Sequence, residues 1–202
     1  MKKLLLCIGT IIALSFAPVN DTITQKERDA AAKFLQETED AVLASVKGLS
    51  EAQLKFKPAE DKWGVEDGIK HIAATEMALW QMTEGYLKQA ANPEKRVDIK
   101  WTDEEVMKNI EDRTNKIKTY PQFEPQNITF KTTDEALASF KENRQKLIEF
   151  VKNTKEDLRN HVAALPFGSF DCYQMTLFIS AHSNRHTKQI EEVKASDGFP
   201  KE

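Results

Sequence analysis

The chain contains only four histidines, and the spacing of three of them suits a single metal ion. His182 and His186 form an H-x-x-x-H pair inside a strongly helical run, residues 173–195. Residues at i and i+4 project from one helix face roughly 5–6 Å apart, so both imidazoles can reach adjacent positions on a small cation. His71, in an earlier helical run that starts after Trp63, would complete a set of three. Such a set leaves a coordination position open for water or substrate, which is typical of a catalytic metal site.

The helical periodicity of the later run places its two histidines where a hydrophobic residue is expected. The members of this apolar series are Met175, Phe178, Ile179, His182, His186, Ile190 and Val193. His71 lies at the edge of the core face of the earlier run. Burying an unpaired polar group costs roughly 1–3 kcal/mol in proteins, so converging imidazoles need a partner. A divalent cation is one such partner, and separate hydrogen bonds in the core are the alternative. His161, by contrast, is expected to be a surface or loop-packing histidine.

The rest of the chain predicts an all-α, up-down four-helix bundle with one or two short extra helices. Its apolar periodicity and capping residues predict long helices over about 25–48, 65–90, 134–153 and 171–194, and a shorter one over about 103–118. Thr102 opens the short helix with a capping-box pattern. A strand signal is confined to the short run 127–130. We therefore expect one domain, residues 21–197.

The first residues predict a secretory signal peptide, residues 1–17. Two lysines precede an apolar stretch, Leu4 to Phe16, that is too short to cross a bilayer comfortably. The mature protein is therefore expected to be exported, either periplasmic or secreted, with no stable membrane span, although an uncleaved anchor is the alternative. Cys172 would then be the only thiol, so no internal disulfide can form, and it is expected to be a half-buried helix residue rather than a nucleophile. The formal charge of −3 gives no reason to expect nucleic acid as a partner.

Two motifs resemble the DinB/YfiT-like superfamily. The first is Trp63-Gly-Val-Glu-Asp67-Gly-Ile-Lys-His71-Ile72, which is similar to the second-helix signature of that family. The second is Phe167-Gly168 followed by the helix that carries His182, His186 and Gln189-Ile190. Their order, spacing and placement on helices cover nearly the whole mature chain.

The resemblance implies a bundle that holds a divalent metal through His71, His182 and His186. Zinc or nickel is expected from relatives, and imidazole ligands also suit iron, with manganese a further option. The implied activities are metal-dependent hydrolysis and the transfer of a low-molecular-weight thiol to an electrophile. Export disfavours the second activity, because such thiols are cytosolic. A metal-dependent hydrolase of unknown small-molecule substrate is the leading hypothesis, and a non-catalytic metal- or ligand-binding bundle is the rival.

Three further residues are expected near the metal. Asp67 lies one turn before His71 and is a candidate acceptor for the N–H of that imidazole, or an acid that complements the helix dipole. Arg185 is a candidate for binding an anionic substrate group, or an exposed helix arginine. Gln189 is expected to line the site. Glu76 is one candidate for a general base. Such bundles often form homodimers, although no apolar stripe here is surplus to the core.

Overall fold

The structure is a computed structural model and describes residues 23–201, so the predicted signal peptide lies outside the described residues. It consists mainly of helices joined by loops and short 3₁₀ turns. The helices are α1 (Gln25–Val46), α2 (Glu51–Lys55), α3 (Val65–Leu87), α4 (Asp103–Glu111), α5 (Thr133–Asn153) and α6 (Cys172–Lys194). Within residues 23–201, no helix is long and apolar enough to span a membrane.

The four long helices form the predicted all-α bundle. Helices α3 and α1 each pack against both α5 and α6. The hydroxyl of Tyr173 at the start of α6 donates to the Glu27 carbonyl near the start of α1, 3.0 Å away. At the other end of the same pair, Lys194 Nζ donates to the Ser45 carbonyl, so α1 and α6 run parallel.

The remaining helix directions follow from contacts of the same kind. Helix α3 runs antiparallel to α6, since Thr75 lies beside His182 and the Thr83 carbonyl lies beside Cys172. It runs parallel to α5, because Lys70 reaches the Lys131 carbonyl just before α5 begins.

In chain order the directions are therefore up, down, down and up, rather than a simple alternation. The long connection of residues 88–132 carries the chain back along the bundle before α5 starts, as in bundles with a crossover connection.

The region before α6 differs from the sequence expectation. A two-stranded antiparallel hairpin, β1 (Val162–Leu165) and β2 (Gly168–Asp171), precedes α6. Gly168 has a φ of +146°, which a residue with a side chain rarely adopts, so the turn of this hairpin depends on glycine. The strand predicted over 127–130 does not form. A proline-initiated 3₁₀ turn (Pro125–Asn127) includes its first residue, and the other three residues belong to no strand.

A buried polar network joins the four long helices at one level of the core. Arg144 of α5 is fully buried and pairs with both carboxylate oxygens of Glu76 of α3, at 2.6 and 2.7 Å. Its remaining N–H groups donate to the Leu35 carbonyl and Thr38 hydroxyl of α1 and to the Ser183 hydroxyl of α6. Because Ser183 follows His182 directly, this network fixes the position of the α6 segment that carries His182.

Candidate metal centre

The structure brings the three predicted histidines together. One ring nitrogen from each of His71, His182 and His186 lies within 4.8 Å of the corresponding atoms of the other two. The first comes from α3, and the other two come from α6, which runs antiparallel beside it. His71 and His186 are buried, whereas His182 is half-buried. Trp63 stacks on His186, with ring centroids 5.9 Å apart and planes 22° from parallel.

Two of the imidazoles have their Nδ1 atoms held by oxygen acceptors. His71 Nδ1 lies 2.8 Å from the Phe123 carbonyl oxygen, and His186 Nδ1 lies 2.9 Å from Gln189 Oε1. Arg113 also donates to Gln189 Oε1, which fixes the amide with its oxygen toward His186. Because both partners accept, each Nδ1 carries the proton, and each Nε2 keeps a free lone pair.

The third imidazole has the same arrangement through a hydroxyl. Thr75 Oγ1 donates to the carbonyl of His71, 2.7 Å away, and therefore accepts from His182 Nδ1, at 3.4 Å. One nitrogen of each ring lies within 4.8 Å of the other two, and Nε2 is the nitrogen that these hydrogen bonds leave free in all three rings. This donor set fits a divalent cation such as zinc or nickel, whose imidazole ligands usually donate their other N–H to a nearby acceptor.

Burial keeps the three rings neutral at physiological pH. It lowers the pKa of His71 to about 4, although the hydrogen bond to Phe123 opposes part of this effect. Burial also lowers the pKa values of His182 and His186 well below the ordinary value, and the neighbouring imidazoles add to that shift. Neutral imidazole is the form that binds metal, so the apoprotein is ready for a cation at neutral pH.

These depressed pKa values predict that acid destabilises the metal-free protein. Between about pH 6.5 and pH 4 the unfolded chain takes up protons on His71 that the folded chain does not. The free energy of unfolding therefore falls as pH falls through this window, by up to ~1.4 kcal/mol per pH unit for each such proton. Denaturant unfolding of chelator-treated protein at several pH values measures this effect. The free energy of unfolding should depend less steeply on pH in His71→Gln than in the wild type. Identical slopes for the two proteins would contradict the assignment.

The histidines lie at the base of an open cleft of about 1200 Å³. One wall is formed by α3 and α6, and the other includes the segment 113–126 that follows α4. This segment contains the turn Pro121–Phe123, which presents the Phe123 carbonyl to His71. A cation at the three Nε2 atoms would therefore be accessible to a small molecule in the cleft.

Comparison with known proteins agrees with this geometry. Residues 35–190 match the DinB superfamily, which is more than half of the chain. This chain belongs to the DinB superfamily. One relative is the uncharacterized protein YuaE of Bacillus subtilis (strain 168), 27% identical over 150 residues, which represent 74% of this chain and 88% of YuaE.

A solved structure shares the fold of this DinB-superfamily chain. YfiT from Bacillus subtilis superposes with a TM-score of 0.60 at 15% sequence identity, covering 89% of this chain and 92% of YfiT. YfiT is described as a probable metal-dependent hydrolase with an unusual four-helix bundle topology. At this level of identity the likeness establishes the fold alone.

Among the further residues predicted for this DinB-superfamily site, only Gln189 contacts a histidine of the set through a hydrogen bond. The carboxylate of Asp67 accepts from the Gly64 N–H and pairs with Lys57 at 2.6 Å, so it acts at the start of α3. Its predicted place beside His71 is taken by the Phe123 carbonyl. A main-chain acceptor carries no side-chain signature, which is why the sequence pattern missed it.

Arg185 lines the cleft but is neither an exposed residue nor free for an anion. Its guanidinium is mostly buried and donates to the carbonyls of Asp112 and Asn115, just beyond the end of α4. Arginine near a helix C-terminus can satisfy carbonyls that lack helical partners. Arg185 therefore holds the start of the 113–126 segment against α6.

One other sequence-based expectation is wrong. Glu76 is unsuited to act as a general base, because both its oxygens pair with Arg144 inside the core. His161 is confirmed as a loop-packing histidine: it is buried, and its nitrogens lie near the carbonyls of Asp157 and Gln89, at 2.7 and 3.2 Å. Cys172 is fully rather than half buried, and burial raises the pKa of its thiol to about 12.

Replacing Gln189 with leucine should weaken metal binding without abolishing it. The change removes the acceptor for His186 Nδ1 while keeping a side chain of similar size. Loss of such a partner typically lowers metal affinity roughly 10–100-fold. Competition against a chromophoric chelator measures the effect, with Gln36→Leu, on a half-buried position of α1 outside the cleft, as the control. An unchanged dissociation constant would show that Gln189 does not orient His186.

Proposed function

We propose that this protein is a metal-dependent hydrolase of small acyl compounds, with His71, His182 and His186 as metal ligands. The observation that carries the proposal is the convergence of the three rings, since one nitrogen of each lies within 4.8 Å of the other two in an open cleft. Each Nδ1 lies beside an oxygen of another residue, which leaves Nε2 as the nitrogen available to a cation. A divalent cation at that point supplies a Lewis acid and lowers the pKa of a coordinated water.

The surrounding residues hold the ligands and restrict solvent. Phe123, Thr75 and Gln189 keep the proton of each imidazole on Nδ1. Trp63 stacks on His186 and also contacts His71, with ring centroids 4.8 Å apart, which shields the ligands on one side. Within residues 23–201, the group of side chains that could bind a metal consists of three histidines and contains no carboxylate. It therefore differs from sites in which a glutamate beside the metal acts as the base.

Hydrolysis is favoured over thiol transfer by the N-terminal sequence pattern. A basic start and an apolar stretch across residues 1–17 support the proposal that the protein is exported. An exported enzyme lacks ready access to the low-molecular-weight thiols of the cytosol. Mass spectrometry of the mature N-terminus tests this part of the proposal, since an intact Met1 in a soluble cytosolic fraction would contradict it.

The activity itself is tested with a panel of aryl esters and anilides. The full chain, loaded in separate samples with zinc or nickel, should release the chromophore faster than buffer and faster than His186→Ala. A chelator should remove the activity, and added metal should restore it. If the loaded protein binds metal stoichiometrically and turns over neither this panel nor electrophile–thiol pairs, the hydrolase proposal fails and the non-catalytic metal-binding alternative is favoured.

A further inference from the structure

Exposed apolar side chains are concentrated around the cleft. Within residues 23–201, the large apolar side chains that are exposed are Met77, Met82, Val97, Ile117, Tyr120 and Phe167. Four of them line the cleft: Met82, Ile117, Tyr120 and Phe167. Exposed apolar groups that cluster in a concave site mark a binding surface, whereas scattered ones need no explanation.

The apolar character is greatest on one side of the histidines. Along α6 toward its N-terminus, the rings of His182 and Phe178 are 12° from parallel, with centroids 6.3 Å apart. The next ring, Phe167 at the hairpin turn, stacks on Phe178 at 5.6 Å and 29°. Three roughly parallel planes therefore lead from a metal ligand to the surface.

Helix α3 extends this apolar surface. It runs antiparallel to α6, so Leu79 and Met82, one and two turns beyond Thr75, lie alongside the α6 segment that carries Phe178. We define the apolar arm of the cleft as Leu79, Met82, Leu165, Phe167 and Phe178. All five line the cleft.

The opposite direction along α6 is polar. One turn beyond His186, Gln189 accepts from Arg113, and Arg113 pairs with Glu192 at 2.6 Å. Lys57 and Lys62 also line the cleft and pair with Asp67 and Asp61, respectively. The three histidines therefore lie between this polar side, where Arg113, Lys57 and Lys62 are paired with carboxylates, and the apolar arm.

We infer that the substrate is an aromatic acyl compound, whose carbonyl lies at the three histidines and whose flat ring lies in the apolar arm beside Phe167. This inference rests on the proposed hydrolytic function and specifies its substrate class. Aromatic pairs prefer offset-stacked or edge-to-face contacts, and the exposed part of the Phe167 ring can make either. Phe178 is buried and supports Phe167 from within, since the two rings stack on each other. The partly exposed Phe167 and Met82, at 46% and 38%, would lose water on binding such a ring.

Hydroxamates test this inference independently of turnover, because they bind a divalent metal through two oxygens without being hydrolysed as esters are. Isothermal titration calorimetry on the zinc-loaded full chain compares acetohydroxamate, octanohydroxamate and naphthalene-2-hydroxamate. The naphthalene compound should bind roughly 10–100-fold more tightly than acetohydroxamate, because burial of aromatic surface is favourable. It should also bind more tightly than octanohydroxamate.

Substitutions in the apolar arm test whether the higher affinity for the naphthalene compound arises there. Phe167→Ser should lower the affinity for the naphthalene compound by roughly 3–10-fold, as expected for the loss of one buried aromatic contact. Its affinity for acetohydroxamate should stay unchanged. Met82→Gln, on a partly exposed position of α3, should act in the same direction without disturbing the hairpin. Val97→Ser is the control, since Val97 is an exposed apolar residue outside the cleft.

The outcomes separate this inference from the hydrolase proposal. If naphthalene-2-hydroxamate binds no more tightly than acetohydroxamate, or if Phe167→Ser and Met82→Gln leave its affinity unchanged, the apolar arm does not bind the substrate. If octanohydroxamate binds at least as tightly, the aromatic class is wrong. Each of these results leaves the metal centre and ester hydrolysis standing. Failure of acetohydroxamate to bind the zinc-loaded protein would overturn both proposals.

Discussion

Replacing His186 with alanine is expected to abolish stoichiometric metal binding while the bundle stays folded. His186 supplies one of three ligands, and its ring also contacts His71, with centroids 4.3 Å apart. Loss of a partner that only orients a ligand costs roughly 10–100-fold in affinity, so loss of a ligand itself should cost more than that. Metal titration against a chelator of known affinity, with circular dichroism to verify folding, measures the change.

The fourth histidine provides a matched control for this experiment. His161 is buried as well, but it contacts the carbonyls of Asp157 and Gln89 at the hairpin end of the molecule. His161→Gln should keep the metal affinity of the wild type, even if the variant unfolds at a lower denaturant concentration. Equal metal affinity in His186→Ala and wild type would remove His186 from the ligand set.

The second large effect is a loss of stability, expected when the buried ion pair of Arg144 and Glu76 beside the histidines is broken. Arg144→Met would leave Glu76 as a carboxylate without its ion-pair partner in the core, and would remove the hydrogen bonds that Arg144 donates to Thr38 and to the Leu35 carbonyl. Breaking a buried pair by removing one partner typically costs about 3–5 kcal/mol. Denaturant unfolding of the metal-free protein should show a loss of that size, a large fraction of the stability of a typical domain.

A double substitution distinguishes this explanation from simple loss of packing. Arg144→Met combined with Glu76→Leu removes both charges, and replacement of a whole buried pair by apolar residues is often nearly neutral. The double variant should therefore be more stable than Arg144→Met alone. If the two are equally destabilised, or if Arg144→Met lies within about 1 kcal/mol of the wild type, the network does not stabilise the bundle in this way.

Much of the site could be predicted because it depends on helix periodicity. An i, i+4 pair in a helix has a fixed geometry, so His182 and His186 had to share a face, and the apolar residues around them showed that this face is inward. His71 followed from the same argument on α3. The four long helices were predicted for the same reason, within a few residues at their ends.

The parts that could not be predicted depend on contacts distant in sequence. The apolar periodicity of a helix does not show in which direction it runs relative to its neighbours. The parallel packing of α3 and α5 therefore follows only from the path of residues 88–132. The acceptor for His71 is a main-chain oxygen of Phe123, which no side-chain pattern encodes. Arg185 and Glu76 were predicted to be free to act in the cleft, whereas carbonyls just beyond α4 engage Arg185 and Arg144 of α5 pairs with Glu76.

The metal content of the purified wild-type protein tests the central claim most directly. The full chain, purified without chelator and then reloaded with zinc, nickel or manganese, is analysed by inductively coupled plasma mass spectrometry. The three converging histidine nitrogens predict one divalent ion per chain in the wild type and in His161→Gln, and none in His71→Ala or His186→Ala. A wild-type protein that carries no stoichiometric metal under any of these conditions would contradict the account.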